Sequence, residues 1–567
     1  MSRRLPHWLD EFTPQLLSQL RSGYSRSDLR ADLVAGLTVA IVALPLAMAL
    51  AIASGTTPER GLHTAIVAGF LISALGGSKV QIGGPTAAFI PVVFNVIERF
   101  GYEGLILCTL MAGLILIAAG LLRLGALLRY MPQPVITGFT AGIAVSIFSS
   151  QVKDALGLRM AQVPGEFFQR WAAYLEHLPS WQPAAAAMCL TALFLLAALK
   201  RYRPGWPAFL IVVIAGSLVA LLLPVPTIGS SFGQLPAALP DFALPNIPFE
   251  RTFELLPAAL TIAFLAGVES LLSAVVADGM TGDRHRSNAE LVAQGVANVG
   301  AALIGGLPAT GALARTATNV RAGARSPIAG IAHALFLLLF MLALAPLMAY
   351  VPLAALAALL LVVAWNMAEL HRFRQLLRAP LGDRVVLLLT FGLTVAFDLT
   401  LAIEVGVVLA AFVFLQRMVA SVSLESETLV DPLDAPERAE SDPRLRLPEG
   451  VEMFRFNGPL FFAVAHRLDL VLDPIRVPPK VFILRMGRVP LIDASGVSAL
   501  EGFVDRCQTL GSAVILSELA GQPREILHQM DFGKHPNLLG LADSFDEALR
   551  MAEQALELTR KDAPAAD

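Results

Sequence analysis

Charge is what this chain has least of. Only 15% of its 567 residues are Asp, Glu, Lys or Arg, against about a quarter in an ordinary soluble domain, while 56% are hydrophobic and the mean hydropathy is +0.66. That balance argues against a purely water-soluble protein. Cysteine is also scarce: Cys108, Cys189 and Cys507 are far apart with no CxxC spacing, which supports neither a disulfide framework nor a zinc site. A net charge of −3 with dispersed basic residues gives no field for nucleic acid, so no nucleic-acid partner is expected. The only Gly-Lys pair, Gly533-Lys534, runs into His535, so no phosphate-binding loop is present and ATP-driven transport by this chain alone is unsupported. The nine histidines are scattered and no catalytic constellation is visible. The chain reads as no enzyme, with no cofactor and no metal. Residues 1–30 lack an apolar core followed by a small-residue cleavage site, so they do not read as a secretory signal.

What is present is a succession of apolar runs bounded by Gly, Pro or charge. They fall at about 31–54, 61–75, 85–98, 104–122, 132–151, 183–199, 206–223, 253–278, 287–305, 311–322, 327–346, 349–366, 383–397 and 399–420. A spanning helix needs roughly 20 apolar residues, so residues 31–420 have room for at most fourteen crossings and the lipid bilayer is the expected surroundings. With that count eighteen Lys and Arg residues fall on the side of the N-terminus. Six fall opposite: Arg60, Arg99, Lys153, Arg159, Arg170 and Arg251. By the positive-inside rule both termini are expected in the cytoplasm of a multi-pass protein of the inner (cytoplasmic) membrane.

Two of the runs are too short or too polar to be plain spans. One opens Gly83-Gly84-Pro85-Thr86-Ala87-Ala88-Phe89 and the other Gly305-Gly306-Leu307-Pro308-Ala309-Thr310-Gly311-Ala312. Each is a Gly-Gly and Pro break followed by small residues. Gly36-Leu37-Thr38-Val39-Ala40 and Ala259-Leu260-Thr261-Ile262-Ala263 recur at almost the same offset. The pattern predicts a seven-plus-seven repeat, inverted because each half has an odd number of spans. Interrupted segments at corresponding positions of two halves point to a transporter's binding site.

Beyond the membrane candidate, residues 421–449 hold eight acids, three arginines and four prolines, the composition of a solvated linker. Strand patterns follow at 451–456, 481–484 and 513–516, with helical patterns at about 464–473, 496–510, 522–530 and 544–557. These predict a small soluble α/β domain over 450–558, with 559–567 as a tail.

Two deeply placed charges stand out. Glu269 is the only charge in residues 258–276. An acid at the bilayer centre costs about 2.5–3.5 kcal/mol on insertion scales, so it is expected to face a cavity or a partner. A carboxylate there can load and release a proton; the alternative is a structural hydrogen bond or ion pair between helices. Arg315 lies one turn into the second short segment. A half-helix opening in mid-membrane offers free N–H groups and partial positive charge, to which Arg315 adds a permanent cation. The facing half-helix would contribute the N–H groups of Thr86, Ala87 and Ala88, with Phe89 as an apolar wall. The alternatives for Arg315 are a snorkelling residue or a counter-ion to Glu269. His333, within an apolar helix, is more often a packed residue than a ligand.

At Pro85-Thr86-Ala87-Ala88-Phe89, Glu269-Ser270-Leu271-Leu272-Ser273 and Ala314-Arg315-Thr316, with Asp493-Ala494-Ser495-Gly496 in the tail, the chain resembles the sulfate permease family of anion transporters. The likeness covers about residues 25–557. It implies a polytopic α-helical membrane protein of fourteen segments in two inverted repeats. Segments 1–4 and 8–11 would form a core domain, segments 5–7 and 12–14 a gate domain, and segments 3 and 10 would be half-helices. The tail resembles a STAS domain. The resemblance places a small anion substrate between Thr86, Ala87, Ala88 and Phe89 on segment 3 and Ala312, Leu313, Ala314 and Arg315 on segment 10, with Ser273 on segment 8. Glu269 takes the position linked in relatives to proton or sodium coupling. Leu46 departs from the glutamine common in relatives and removes a polar contact. Ser495 matches a residue phosphorylated in signalling relatives, but reads more simply as a helix cap; His466 and Arg467 read as surface residues.

The expected activity is proton-coupled symport of a small anion: a C4-dicarboxylate such as fumarate or succinate, sulfate, or bicarbonate. The apolar lining tilts it towards the carboxylate. Sodium-coupled symport, anion exchange and a passive anion channel remain open, and so does a homodimer. A nucleobase/proton symporter of the same fold would leave both the tail and Arg315 unexplained.

Overall fold

The computed structural model describes residues 11–126, 132–160, 163–233, 249–397, 399–426, 447–462 and 478–561. The chain divides into two compact units, Met1–Ala410 and Ala411–Asp567. In the first, every apolar run read from the sequence falls on helix. The helices that carry these runs are α1 (Arg26–Ala53), α2 (Pro58–Leu75), α3 (Ile90–Leu121), α4 (Gln133–Ser150), α5 (Pro183–Tyr202), α6 (Ala208–Ala220), α7 (Thr252–Thr281), α8 (Ser287–Leu303), α9 (Leu313–Arg321), α10 (Ile328–Met348), α11 (Leu353–Met367), α12 (Leu381–Ala396) and α13 (Leu399–Ser421), the last of which runs past the boundary at Ala410. Among the described residues, eight helices are long and apolar enough to cross a membrane by length and composition.

Local chemistry sets the boundaries. A reciprocal capping box between Ser25 and Asp28 starts α1 and Pro58 opens α2, where its missing N–H costs nothing. Gly282 ends α7 in the left-handed conformation. A 3-10 turn, Ala87–Phe89, leads into α3, and the runs at 85–98 and 104–122 are two helical parts of it that meet at a kink. Within α3 only Gly101 leaves helical geometry, at φ 73°, a conformation glycine takes without steric cost.

The helices sort into two groups by packing. α8 lies along α3, and α10 lies along α1 and α2. Separately, α12 lies along α4, and α11 against α4 and α5. The α3/α8 seam depends on two facing glycines. A Cβ on Gly113 would stand 2.7 Å from the Gly295 carbonyl oxygen, and one on Gly295 would stand 2.6 Å from that of Gly113. Backbone approach of this kind is how helices associate where lipid removes the hydrophobic incentive.

The two interrupted stretches meet. Strand β1 (Gly83–Gly84) pairs antiparallel with β2 (Thr310–Gly311), Gly83 opposite Gly311 and Gly84 opposite Thr310. The second break therefore lies five residues beyond Gly305, where the sequence repeat had set it. Gly305 instead turns the chain at the end of α8 with φ 62°. Asn298 explains the shift: its side chain donates to the Ala309 carbonyl and accepts from the Ala309 N–H, drawing the following residues into the ladder.

Irregular backbone in an apolar interior must have its polar groups satisfied by protein, and polar side chains do this here. Glu290, on α8 and wholly buried, accepts from the N–H groups of Gly77 and Ser78 at 2.8 and 3.2 Å. It also accepts from Ser270 Oγ and Gln294 Nε2. Gln81 donates to Ser270 Oγ at 2.7 Å, the Thr64 hydroxyl accepts from Leu307 N, Thr310 donates to the Ala266 carbonyl and Asn319 to that of Val80.

The second unit is a five-stranded sheet in the order β3-β4-β5-β6-β7. Its strands are β3 (Ser423–Ser426), β4 (Val451–Asn457), β5 (Val481–Arg488), β6 (Ala513–Ser517) and β7 (Leu538–Ala542). The β4 to β7 neighbours are parallel and β3 is antiparallel to β4. Ser423–Ser426, read from composition as the start of the linker, is therefore an edge strand of this domain, and β7 was not foreseen. Helix α14 (Ala494–Thr509) buries Val497, Leu500 and Phe503 against one face. Helix α16 (Phe545–Lys561) buries Phe545, Ala548 and Ala552 against the other, and α15 (Gln522–Gln529) lies between them in sequence. The cap of α14 is Asp493, whose side chain accepts from the Gly496 N–H at 2.8 Å. Ser495 is exposed in the first turn, so its reading as the cap is overturned. The helical pattern at 464–473, with His466 and Arg467, lies outside the described residues, as do residues 427–446 of the linker.

Two expectations follow. Glu290→Leu leaves the Gly77 and Ser78 N–H groups buried without acceptors, at about 1–3 kcal/mol each, so the purified protein should melt well below wild type while Glu290→Asp loses less. Gly295→Leu overpacks the α3/α8 seam by about 1–3 kcal/mol and should lower the melting temperature, whereas leucine at exposed Gly279, which has open space around it, should not.

Candidate functional site

The β1/β2 ladder fixes where the two half-helices begin. Thr86 is the residue before the Ala87–Phe89 turn, and Ala312 precedes α9. Both first turns therefore leave the same ladder with their unpaired N–H groups near it. Thr86, Ala87, Ala88, Phe89 and Ala312 are all buried. Leu313 is half-buried and Ala314 exposed, so the residues expected along the second half-helix do not all face inward. Leu46, on α1, is buried.

Arg315 is 3% exposed. Its Nη2 donates to the Pro85 carbonyl oxygen at 2.5 Å, whereas Nε and Nη1 have no hydrogen-bond partner among the described residues. The approach requires glycine at position 84: a Cβ there would stand 2.6 Å from Arg315 Nη1, and Gly84 has φ 146°. Snorkelling is excluded by this placement. Glu269, on α7, accepts from Thr86 Oγ1 at 2.9 Å. No ion pair joins it to Arg315 among the described residues. The acid and the cation of the second repeat thus each bind the first half-helix, Glu269 through Thr86 and Arg315 through Pro85.

Ser273 is wholly buried and donates to Thr316 Oγ1 at 3.1 Å. Thr316 also accepts from the Ile82 N–H, and Ala312 N donates to the Ile82 carbonyl. Ser273 consequently ties α7 to α9 and to the residue before β1. Gln81 and Glu290 were missed in the sequence, and Ser270 and Thr316 stood in its motifs without a role. The readable signal was a polar residue every fourth position on an otherwise apolar helix, as in Glu290, Gln294 and Asn298. Among the described residues no group of three or more His, Cys, Asp and Glu could hold a metal ion.

A buried guanidinium with two unsatisfied nitrogens, beside two helix N-termini, has the chemistry of an anion site. A carboxylate one hydrogen bond from the same turn opposes a bound anion for as long as it is charged.

Comparison with known proteins agrees with the architecture. Residues 29–390 match the sulfate permease family and residues 442–548 the STAS domain. The chain is 40% identical over 484 residues to the putative sulfate transporter YvdB of Bacillus subtilis, spanning 84% of this chain and 89% of that protein. It is 29% identical to the bicarbonate transporter BicA of Synechocystis over 88% of this chain and 89% of that one. Among solved structures, the transmembrane domain of a cyanobacterium BicA superposes with a TM-score of 0.62 at 30% identity, covering 67% of this chain and 98% of that one. The murine solute carrier 26 family member A9 anion transporter, in the inward-facing state, shares the fold at a TM-score of 0.86, with 18% identity over 98% of this chain and 96% of that one. The chain therefore belongs to the sulfate permease family, multi-pass membrane anion transporters rather than enzymes, and carries a STAS domain at its C-terminal end.

Proposed function

We propose that this protein is a secondary active transporter that takes up a small anion together with a proton across the inner membrane, with both termini in the cytoplasm. The observation that carries this reading is Arg315: buried, held where the two half-helices start, and left with two nitrogens without a hydrogen-bond partner among the described residues. Residues 31–420 are the transport domain, flanked by a cytoplasmic stretch at 1–30 and by the linker and STAS domain.

The anion sits against Arg315 Nε and Nη1 and the first-turn N–H groups of Thr86, Ala87 and Ala88, with Phe89 and Ala312 as walls. Leu313 and Ala314 continue the second half-helix, and Ser273 supports it through Thr316. Glu269 repels the incoming anion while charged. A proton on it removes that repulsion, so each ligand favours the other, which is the thermodynamic content of symport. Sulfate and bicarbonate, which relatives are named for, are compatible with such a site. The apolar residues Leu46, Phe89 and Ala312 favour a C4-dicarboxylate such as fumarate or succinate, whose carbon chain they can cover.

Proteoliposome uptake of labelled sulfate, bicarbonate and fumarate at two pH values, with and without sodium, tests substrate and coupling together. Accumulation should rise when the outside is made acidic and should not need sodium. Glu269→Gln should still exchange substrate yet no longer concentrate it against a gradient; accumulation by that variant, or uptake indifferent to the proton gradient, overturns the coupling. Arg315→Gln should lose at least about tenfold in apparent affinity, the equivalent of 1.4 kcal/mol, with Arg315→Lys intermediate because a point charge replaces a fork. Saturable uptake separates the carrier from a passive channel, which would give unsaturated current.

A further inference from the structure

The stretch between α4 and α5 is anchored to the second helix group. The N–H of Gln182, just before α5, donates to the Leu156 carbonyl, Ser180 Oγ accepts from the Arg159 N–H at 3.1 Å, and the helix Phe167–His177 packs against α4 and α12. The same stretch reaches across to α3, which lies along α8 in the first group. The Gly165 N–H donates to Glu98 Oε1 at 3.0 Å, and a Cβ on Gly165 would overlap Glu98 Oε2 and stand 3.2 Å from Asn95 Oδ1. Arg170, 5% exposed, holds the stretch in this shape. Its Nε donates to the Pro164 carbonyl at 2.9 Å and its Nη2 to that of Gly165 at 2.7 Å, while its guanidinium carbon lies 5.6 Å from the centroid of the Phe94 ring. Phe94 and Asn95 lie four and three residues before Glu98, so all three share one face of α3.

That face belongs to the first half-helix, which runs from the Ala87–Phe89 turn to the kink at Gly101. The opening turn rests on α4, and Glu98 lies nine residues beyond Phe89, about 14 Å at 1.5 Å per residue. The second group therefore touches the half-helix at both ends. A carrier with its site between two repeats works by rocking one bundle against the other, and α3 cannot travel with the first group while its far end is held. We propose that residues 164–170 are a latch on the first half-helix, and that Glu98 must leave the Gly165 N–H, and Phe94 the Arg170 guanidinium, for the first group to move past the second. The grip is one solvent-exposed hydrogen bond and one stacked cation, few enough contacts to part in each cycle. Glu98, Gly165 and Arg170 are positioning residues that do not touch the anion. The latch rests on the transport reading above.

The test has two arms on the full chain. Cys108, Cys189 and Cys507 are buried, so in a protein carrying both Glu98→Cys and Gly165→Cys a short bis-methanethiosulfonate reagent bridges the new pair, which the mass confirms. After reconstitution, the bridge should lower uptake of whichever of labelled sulfate, bicarbonate and fumarate the wild type takes up at least about tenfold, and a reductant should restore it. The reagent should leave the uptake of each single variant within about twofold of its own untreated rate. In the second arm, a saturating amount of that anion should change the rate at which a water-soluble thiol reagent labels Asn95→Cys by at least about threefold, because the anion shifts the population of latched and unlatched protein. A fixed contact would label at one rate throughout. Undiminished uptake by the bridged protein, a pair that does not bridge, or labelling of Asn95→Cys indifferent to the anion overturns the latch alone. No uptake by the wild type overturns the transport reading and the latch with it.

Discussion

The membrane unit is organised by the cost of bare backbone in an apolar interior. Wherever the chain leaves helix between Gly76 and Thr86, or between Ile304 and Ala312, its N–H and C=O groups lack water and must find protein. Glu290, Asn298, Thr64, Thr310, Asn319 and Thr316 meet that need. Each sits on a neighbouring helix, so satisfying the breaks also locks α2, α7, α8 and α9 around them. The acid at Glu290 illustrates the logic: a carboxylate stays wholly buried because four donors surround it, which offsets much of its desolvation.

The same economy separates two kinds of buried charge. Glu290 has its hydrogen bonds filled and belongs to the scaffold. Among the described residues Arg315 has one of its nitrogens filled and two bare, and Glu269 is held by a single hydroxyl. A scaffold charge fully engaged leaves nothing for a ligand, whereas an under-engaged one has capacity to spare. Sorted this way, the spare hydrogen-bonding capacity among these three charges lies beside the β1/β2 ladder.

Much of this was legible beforehand because lipid-facing helices advertise themselves through long apolar runs, and a charge among them is conspicuous. Glu269 and Arg315 stood out for that reason, and the Gly-Pro breaks marked where helices fail. The register of the second break was not legible: Gly305-Gly306 matched Gly83-Gly84 in composition, but only the Asn298 side chain decides that pairing starts at Thr310. Polar residues of middling character, such as Gln81, Ser270 and Thr316, were given no role, since their roles lie in contacts across roughly 200 residues of chain. In the second unit, β3 escaped because acidic composition obscured a short edge strand whose pairing comes from β4. The Asp493 cap was displaced by two residues for a related reason, because Asp, Ser and Gly all suit a helix start.

The ladder between β1 and β2 has a consequence for how the molecule comes into being. Its two sides are separated by more than two hundred residues, as is the Arg315 to Pro85 bond at a separation of 230. The first half of the chain leaves the ribosome and enters the membrane with its glycine break unpaired. It can pair only once Thr310 and Gly311 have been synthesised. Contacts of such high sequence separation are slow to form, so the joining of the two repeats at these four residues comes late.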